Sequence, residues 1–293
     1  MLFPRQLGST GLDVPILGLG SGMLGDPSLD EAIAGRLLNE AIDLGLTLID
    51  AAPGYGIAEQ RIGHHLAHRR AEYVLSTKLG YGVEGVPDWT GDAIARGIDR
   101  ALALLRTERI DIALLHSCPV ETLRRDDIAA ALADAVASGK VGVAGYSGEN
   151  EALDLALESR RYGTLMASVN VFDQGALERV APEAERQGVG FIAKRPVANA
   201  PWRFAKRPDG DYAESYWLRM KAMELDFGDR WFEVALRFAA WAPGVGCSVL
   251  GTARSERLRE AVDAVSLGPL DAETLAAIRD AFRAHGSEWR GEI

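Results

Sequence analysis

The sequence has few cysteines, no long apolar run and no excess of positive charge. Cys118 and Cys247 are its two cysteines, and they lie far apart at the ends of apolar runs. We therefore expect small buried side chains in a reducing compartment rather than a disulfide. The opening stretch MLFPRQLGST lacks the apolar core of a signal peptide, and no run approaches 18 apolar residues. These absences predict a cytoplasmic protein without a membrane partner.

The charge balance is acidic, with 42 acidic residues against 32 lysines and arginines and a formal net charge of −10. Such a balance argues against nucleic acid or an anionic membrane as a partner. The 293 residues, 47% of them hydrophobic, are enough for a large core. This length fits two domains or one α/β barrel of about 250 residues. Because no composition break or linker divides the chain, we expect one domain over 1–293, as a monomer or small homo-oligomer.

Eight short apolar segments alternate with amphipathic stretches, and near-continuous apolar character is typical of parallel strands covered on both faces. Eight such strands alternating with helices predict a (β/α)₈ TIM barrel, an α/β fold. The segments are VPILGLG (14–20), LTLIDAA (46–52), YVLSTKL (73–79), IDIALLH (110–116), VGVAGYS (141–147), TLMASVN (164–170), VGFIAKR (189–195) and GCSVLGT (246–252).

Three further segments carry local signals. The stretch FPRQLGSTGLDVP (3–15) predicts an N-terminal hairpin that closes the bottom of the barrel. Ser28-Leu-Asp-Glu31 predicts a capping box at the first helix, and Thr90 or Asp92 is expected to cap the third. A long irregular segment over 197–228 follows the seventh strand, and its length indicates a lid, a binding loop or an inserted helix. We expect it to fold over the barrel mouth and shape substrate choice.

Ionisable side chains mark the ends of three predicted strands. Asp50 ends the second strand, Lys78 the third and His116 the fourth, and Tyr55 follows Asp50 in the turn of LIDAAPGYG. Each alone has an ordinary structural explanation, such as a turn-capping aspartate or a buried structural histidine. Active sites of this fold lie at the carboxyl ends of the strands, so the four residues together indicate a functional site.

The four residue types also suit one kind of chemistry. A tyrosine has an ordinary pKa near 10, and a neighbouring lysine cation stabilises its phenolate form. An aspartate beside the lysine keeps the lysine charged, and a neutral histidine can orient a substrate oxygen. This set favours proton exchange with a carbonyl or alcohol oxygen.

These motifs resemble the aldo-keto reductase superfamily over essentially the whole chain. The family's Asp-x-Ala-x-x-Tyr-Gly element corresponds to DAAPGYG, its Ser-Thr-Lys strand end to LSTKLG, and its Asp-x-x-x-x-His element to DIALLHS. The resemblance implies a catalytic tetrad of Asp50, Tyr55, Lys78 and His116. It also implies that Tyr55 is the general acid–base.

The stretch GSGMLG (20–25) matches the G-x-G-x-x-G pattern of a Rossmann fold. That interpretation is rejected because the next helix is expected to start later, at Ser28 behind Pro27, and not on the motif itself. By resemblance, the loop that begins at Gly20 lies near the nicotinamide and the substrate.

The resemblance also assigns the remaining cofactor contacts. It implies that VLGTARSERLREA (249–261) holds the adenine and 2′-phosphate through Thr252, Arg254 and Arg257, although a solvated helix face is the alternative for the arginines. NADP is favoured and NAD stays possible, because Gly251 and Ala261 stand where the family often has lysine and asparagine.

The nicotinamide end departs from the family pattern. Ser147-Gly148 replaces a Ser-Asn pair, Met166 a glutamine, and Lys194 a stacking tyrosine within a KRP variant that ends at Pro196. Since KRP variants exist within the family, this pattern indicates a subgroup. Ser147, Lys194 and Pro196 remain the expected contacts at this end.

We therefore expect an NAD(P)-dependent oxidoreductase that interconverts aldehydes, ketones or sugar carbonyls with alcohols. Trp89, Phe172 and Trp202 are expected to line the substrate pocket. The alternative is a nicotinamide-binding sensor or regulatory subunit with little turnover. A metal-dependent hydrolase is disfavoured, because the strand ends lack a cluster of metal ligands.

His64, His65 and His68 have spacing that invites a metal interpretation. They are expected on an outer helix, away from the strand ends and without an accompanying carboxylate. We therefore expect no metal.

Overall fold

The computed structural model describes residues 2–293, which contain a closed barrel of eight parallel strands behind a two-stranded antiparallel hairpin. The barrel strands follow chain order, and the last closes on the first through the pairs Ser248↔Leu17 to Gly251↔Gly20. The predicted TIM barrel is confirmed. The strands are β1 (Pro4–Gln6), β2 (Asp13–Pro15), β3 (Leu17–Gly20), β4 (Leu48–Asp50), β5 (Val74–Leu79), β6 (Ile110–His116), β7 (Val141–Ser147), β8 (Thr164–Ser168), β9 (Gly190–Lys194) and β10 (Cys247–Gly251).

Helices cover the outside of the barrel with their apolar faces. In the third of them Ile94, Ile98, Ala101 and Leu105 are buried on one face, as the spacing predicts. The helices of residues 2–293 are α1 (Glu31–Asp43), α2 (Ala58–Leu66), α3 (Gly91–Leu105), α4 (Val120–Leu123), α5 (Asp126–Ala137), α6 (Asn150–Glu158), α7 (Gly175–Arg179), α8 (Ala181–Gln187), α9 (Glu214–Met223), α10 (Trp231–Ala240), α11 (Ser255–Ser266) and α12 (Ala272–His285).

The first barrel strand is shorter than predicted. Residues 13–15 pair with 4–6 in the hairpin, and the barrel strand begins at Leu17. Pro15 explains the break, because it has no N–H to donate to a neighbouring barrel strand. The hairpin itself is confirmed.

The predicted capping box at the first helix is wrong. Asp30 caps α1, with Oδ1 accepting from the Ile33 N–H at 3.0 Å, while the Ser28 N–H donates to Asp26. Ser28 thus belongs to a turn ahead of the helix, and an aspartate closer to the first turn does the capping. At α3 the predicted cap Thr90 accepts from the Ala93 N–H.

The barrel interior is packed rather than open. Leu48, Ile112, Leu114, Met166 and Ile192 belong to one buried cluster, together with a leucine from the hairpin loop. That residue is Leu7. A Cβ added at Gly190, the first residue of β9, would lie 2.6 Å from the Leu7 side chain, and one added at Gly246, just before β10, would lie 2.9 Å from it. The hairpin therefore closes the amino-terminal end of the barrel.

The insertion after β9 contains a 3₁₀ turn at Pro201–Arg203 and helix α9, so an inserted helix, one of the predicted alternatives, is present. Arg219 of α9 donates to the Phe172 carbonyl at 3.2 Å, and the Tyr216 hydroxyl donates to Asp173 at 3.3 Å. Both acceptors follow β8. The segment therefore lies at the carboxyl-terminal face of the barrel. Among residues 2–293, none of the helices combines the length and apolar character that crossing a bilayer requires.

Candidate active site

The parallel strands bring Asp50 and Lys78 together at the carboxyl-terminal end of the barrel. Asp50 is the last residue of β4 and Lys78 lies one residue before the end of β5. Nζ of Lys78 lies 2.5 Å from Asp50 Oδ2, and the two side chains are 1% and 4% exposed. Lys78 also donates to the Ala51 carbonyl at 3.0 Å, and Ser76 Oγ donates to Asp50 Oδ1 at 2.9 Å. The ion pair is therefore buried and hydrogen-bonded on both sides.

Burial by itself would lower the pKa of Lys78. The carboxylate of Asp50 and the hydroxyl of Tyr55 oppose this effect and together raise the pKa of Lys78 above its ordinary value. The amine is therefore an ammonium at neutral pH. Because the buried ammonium of Lys78 needs a compensating negative charge, the strand before it ends on a buried aspartate.

The turn after β4 places Tyr55 over the buried pair. The Tyr55 N–H donates to the Ala52 carbonyl at 3.0 Å, and Gly56 has φ +53°, a conformation that favours glycine. A Cβ at Gly25 would overlap the Tyr55 carbonyl oxygen, so the loop after β3 also packs closely on this turn. Lys78 Nζ lies 4.9 Å from the Tyr55 ring centroid. The phenol thus stands next to the ammonium, half-buried at the mouth.

His116, the last residue of β6, faces Tyr55, with the two rings perpendicular and 6.2 Å apart between centroids. Burial lowers the pKa of His116 to about 3, and the positive charges of Lys78, Lys194 and Arg195 contribute to the same shift. The imidazole is therefore neutral at physiological pH. A neutral ring can donate one hydrogen bond to a substrate oxygen without carrying charge into the site.

We expect the ring signals of His116 in NMR spectra to stay constant as the pH is lowered from 8 to 5. The protonated form is disfavoured by burial and three neighbouring cations, so ionisation should begin only near the lowered pKa of about 3. A His116→Gln variant identifies the resonance. A midpoint near the ordinary value of 6.5 would show that water and counter-charge reach the ring.

Tyr81 is a residue of this site that the sequence analysis missed. Its hydroxyl lies 2.6 Å from Nδ1 of His116, and its ring lies 6.0 Å from the ring of Trp89. A Cβ at Gly80 would lie 2.0 Å from the Trp89 ring, so the loop after β5 packs tightly. The structure therefore places the predicted pocket residue Trp89 beside the tetrad, with Tyr81 between it and His116.

A second buried ion pair lies next to the predicted tetrad. Lys194 Nζ is 3.1 Å from Glu149 Oε1, and the same carboxylate oxygen accepts from the Ser168 N–H at 2.8 Å. Burial lowers the pKa of Lys194, the Glu149 carboxylate opposes the shift, and Arg195 and Lys78 add to it. Sequence reasoning missed Glu149, which follows Ser147 in SGEN after a strand end.

The three predicted pocket residues have different positions. Trp202 stacks on Trp231 with centroids 5.3 Å apart and planes 6° apart, and Phe172 contacts the same Trp231 ring at 5.6 Å. Phe172 is fully buried, so it supports Trp231 from behind and has no surface to offer a ligand. The prediction that Phe172 lines the pocket is therefore wrong. The sequence analysis also missed Trp231, the first residue of α10.

The carboxyl-terminal tail forms part of this face, which the sequence analysis did not predict. Gly291 exchanges two hydrogen bonds with the Asn150 side chain, at 2.8 and 3.0 Å. Arg195 donates to the Glu292 carbonyl at 2.8 Å, and Arg219 donates to the Glu292 carboxylate at 2.6 Å. The tail is thus held between the start of α6, the residue after β9 and helix α9.

The predicted phosphate-binding residues lie around the start of α11. Thr252 is buried, and its Oγ1 accepts from the Arg254 N–H at 3.1 Å. The Arg254 side chain is 67% exposed and approaches Glu256 only at 4.0 Å. Arg257 is 35% exposed, pairs with Glu260 at 2.6 Å, and lies over the Phe232 ring.

A cleft of 820 Å³ adjoins these residues. It is lined by Trp202, Phe204, Met220, Trp231, Phe232 and Arg257, and so lies between the insertion and helices α10 and α11. A cleft of 1240 Å³ lies instead near the hairpin turn, beside Ser9 and Gly188, at the opposite end of the barrel. None of the four tetrad residues lines either cleft. The larger one is set aside because it lies at the amino-terminal end of the strands, whereas the smaller one is lined by the predicted residues Trp202 and Arg257.

Comparison with known proteins identifies the family and supports the fold. The model of the Aldo/keto reductase family matches residues 16–283. The chain belongs to the aldo/keto reductase family. It is 30% identical to the uncharacterized oxidoreductase YrpG of Bacillus subtilis, over 96% of each chain. It is 29% identical to L-galactose dehydrogenase of Arabidopsis thaliana, over 66% of this chain and 65% of that one. The holo form of aldo-keto reductase AKR11C1 from Bacillus halodurans superposes with a TM-score of 0.82 at 26% identity, over 96% of each chain.

The departures from the aldo-keto reductase pattern have physical reasons in the structure. A Cβ at Gly148 would lie 2.2 Å from the Tyr146 hydroxyl, which donates to the Cys118 carbonyl at 3.0 Å. An asparagine at 148 would therefore collide with a buried tyrosine. Met166 is fully buried in the barrel interior.

The prediction that no carboxylate accompanies the three histidines is wrong. Glu31 Oε1 lies 2.7 Å from His65 Nε2, and ligand atoms of His64 lie within 4.8 Å of both. Glu31 also accepts from Arg61 at 2.8 Å, and a Cβ at Gly35 would lie 2.6 Å from the His65 ring. These contacts pack α1 against α2 on the outside of the barrel.

Proposed function

We propose that this aldo-keto reductase is an NAD(P)-dependent oxidoreductase that interconverts aldehydes, ketones or sugar carbonyls with alcohols. The observation that carries the proposal is the buried Lys78–Asp50 pair at 2.5 Å beneath Tyr55, with neutral His116 on the opposite side. These residues can exchange a proton with an oxygen atom at the barrel mouth. A nicotinamide cofactor, when bound beside them, would supply or accept the hydride.

Each tetrad residue has a separate role in this proposal. Tyr55 is the general acid–base that gives its proton to the carbonyl oxygen or takes it from the alcohol. Lys78 stabilises the phenolate that remains, and Asp50 keeps Lys78 charged. His116 donates a hydrogen bond that orients the substrate oxygen toward Tyr55. The burial of Lys78 and Asp50 strengthens these electrostatic effects, because water does not screen them.

The nicotinamide end is proposed to lie along Gly20, Ser147, Lys194 and Pro196. Ser147 Oγ supports this proposal, because it is buried and finds no hydrogen-bond partner among residues 2–293. The buried hydroxyls of Tyr73, Thr164 and Ser248 also lack a partner, but of these four only Ser147 stands at the carboxyl end of a barrel strand, where a ligand could supply the missing polar group. The Lys194–Glu149 pair stands beside it and would border the carboxamide.

The phosphate end is proposed to lie at the start of α11, with NADP preferred and NAD possible. No side chain caps the first turn of this helix, and although the Arg257 N–H donates to the Arg254 carbonyl at 3.1 Å, the N–H groups before it are available to an anion. Arg254 is exposed and weakly paired, which suits a 2′-phosphate contact. Thr252 fixes the loop through its hydrogen bond to the Arg254 N–H.

We propose a small-molecule carbonyl or sugar as substrate. Trp89 and Trp202 offer partly buried aromatic surface at or near the mouth, which suits stacking against a sugar ring. The similarity to L-galactose dehydrogenase favours the sugar class. The 197–228 segment would form the outer wall, and the barrel with all its extensions would act as one domain over 1–293.

A steady-state assay tests the proposal. A panel of aldehydes, ketones, aldoses and polyols with NADPH, NADP⁺, NADH and NAD⁺ should reveal turnover that is insensitive to chelators. Nicotinamide binding without turnover on any member of the panel would instead support the sensor or regulatory subunit.

Changing Arg254 and Arg257 together to Ala should raise the dissociation constant for NADPH by about tenfold or more, because charge-assisted hydrogen bonds contribute about 1.5–3 kcal/mol each. The dissociation constant for NADH should hardly change. Fluorescence titration of both cofactors measures this difference. Arg259→Ala is the matched control, since Arg259 lies on the same helix but pairs with Glu40 on α1. Equal losses for both cofactors would mean that the arginines only support the loop.

A further inference from the structure

We propose that Tyr81 is a positioning residue that fixes His116 in the tautomer with the proton on Nε2, the nitrogen left free for the substrate oxygen. The inference rests on the function proposed above. It assigns a role to a tyrosine that lies outside the tetrad and at 2.6 Å from His116 Nδ1.

The first step concerns the protonation state of the two rings. His116 is neutral because burial and neighbouring cations lower its pKa to about 3, so only one ring nitrogen carries a proton. Burial raises the pKa of Tyr81, although Lys78 opposes the shift, so the phenol keeps its proton. Two neutral groups therefore share the 2.6 Å contact, and one hydrogen lies between them.

The second step concerns the direction of that hydrogen bond. A phenol, with an ordinary pKa near 10, is a stronger hydrogen-bond donor than the N–H of a neutral imidazole, and an imidazole nitrogen is a stronger acceptor than a phenol oxygen. In the 2.6 Å contact the Tyr81 O–H is therefore the donor and His116 Nδ1 the acceptor. With Nδ1 an acceptor, the ring proton must be on Nε2.

Because Gly54 has no side chain, it leaves room for the Tyr81 hydroxyl. A Cβ at residue 54 would lie 2.7 Å from the Tyr81 hydroxyl oxygen, so a larger residue would push the phenol away from its present position. Gly54 immediately precedes Tyr55 in the chain. The turn that carries the proposed general acid therefore also packs against the Tyr81 hydroxyl.

The loop that carries Tyr81 is fastened from the opposite side. Arg100 donates to the Gly82 carbonyl at 2.5 Å and to Glu59 at 3.3 Å, and buried Glu59 accepts from Thr77 at 2.7 Å. The ring of Trp89 leaves no space for a Cβ at Gly80. A hydroxyl held in this way can select one tautomer, because it has little freedom to turn toward another partner.

Tyr55 and Tyr81 both lie near His116, but their hydroxyls have different roles. Both rings lie near His116, with centroids at 6.2 Å for Tyr55 and 5.6 Å for Tyr81. Tyr55 is the one whose hydroxyl interacts with Lys78 and raises its pKa. The hydroxyl of Tyr81 is hydrogen-bonded to His116. Tyr81 is therefore not the proton donor, and its loss should affect orientation rather than proton supply.

The test is a Tyr81→Phe variant whose His116 tautomer is read by long-range ¹⁵N–¹H NMR, a signature that distinguishes Nε2–H from Nδ1–H in a neutral ring. We expect Nε2–H in the parent protein and a substantial Nδ1–H population in the variant. Turnover of a carbonyl substrate should fall by about tenfold, the scale of one misplaced hydrogen bond. The dissociation constant for NADPH should change by less than about twofold, because the proposed cofactor contacts are untouched.

Tyr73→Phe is the matched control. The Tyr73 hydroxyl is buried at the start of β5 and has no hydrogen-bond partner within 2–293, so its removal should change neither tautomer nor turnover. A His116 ring that keeps Nε2–H in Tyr81→Phe, or that carries Nδ1–H in the parent, would overturn the proposal even if the enzyme reduces carbonyls. A tautomer change in a protein without turnover would support the assignment for Tyr81 while removing the proposed function.

Discussion

Replacing Tyr55 by Phe is expected to reduce carbonyl turnover by at least about 100-fold, the usual scale for general acid catalysis. The phenol stands beside the Lys78 ammonium and opposite His116, where a substrate oxygen would meet all three groups. A phenyl ring preserves the packing but has no proton to give. Nicotinamide binding should be retained, because Tyr55 is not among the proposed cofactor contacts.

Three measurements check this expectation. Circular dichroism should show an unchanged fold, fluorescence titration an unchanged affinity for NADPH, and single-turnover kinetics a slower hydride transfer. Tyr212→Phe is the control, since Tyr212 is 81% exposed on the insertion. A Tyr55→Phe enzyme that turns over at nearly the parent rate would show that the proton comes from elsewhere. The tetrad assignment would then be wrong.

The barrel could be predicted from the sequence because each of its strands can be identified from a short stretch of chain. Each strand is a short apolar run, and each predicted tetrad residue lies at or just beyond the end of such a run. Parallel strands in a closed barrel necessarily bring these ends to one face. The pairing of Asp50 with Lys78 was predicted for the same reason, together with the need of a buried ammonium for a counter-charge.

What the sequence did not reveal depends on contacts between distant segments. Tyr81 lies in Gly-Tyr-Gly just beyond a strand end, the same signal that marks Tyr55, yet no resemblance pointed to it. The carboxyl-terminal tail reaches the site only through side chains such as Asn150 and Arg219, more than 70 positions away. Asp30 displaced Ser28 as a cap because the helix begins two residues later than a capping box at Ser28 requires.

Replacing Lys78 by Met should damage both stability and turnover, for separate reasons. Asp50 would be left as a buried carboxylate with only the Ser76 hydroxyl as a side-chain donor. Removing one partner of a buried ion pair costs about 3–5 kcal/mol of unfolding free energy. Turnover should fall by at least about 100-fold, because no cation remains to stabilise the phenolate.

The double variant Asp50→Asn with Lys78→Met separates these two effects. It removes the unpaired charge, so urea unfolding should recover much of the lost free energy, since a buried ion pair replaced as a whole is often neutral for stability. Turnover should remain as low as in Lys78→Met alone, because the ammonium beside Tyr55 is still missing. Arg69→Met is a suitable control for loss of a cation, since its partners Asp43 and Glu72 are exposed and stay hydrated. If Lys78→Met were as stable as the parent protein, Asp50 would not need its partner. If the double variant recovered turnover together with stability, the role of Lys78 would be structural, and the phenol of Tyr55 would work without a neighbouring cation.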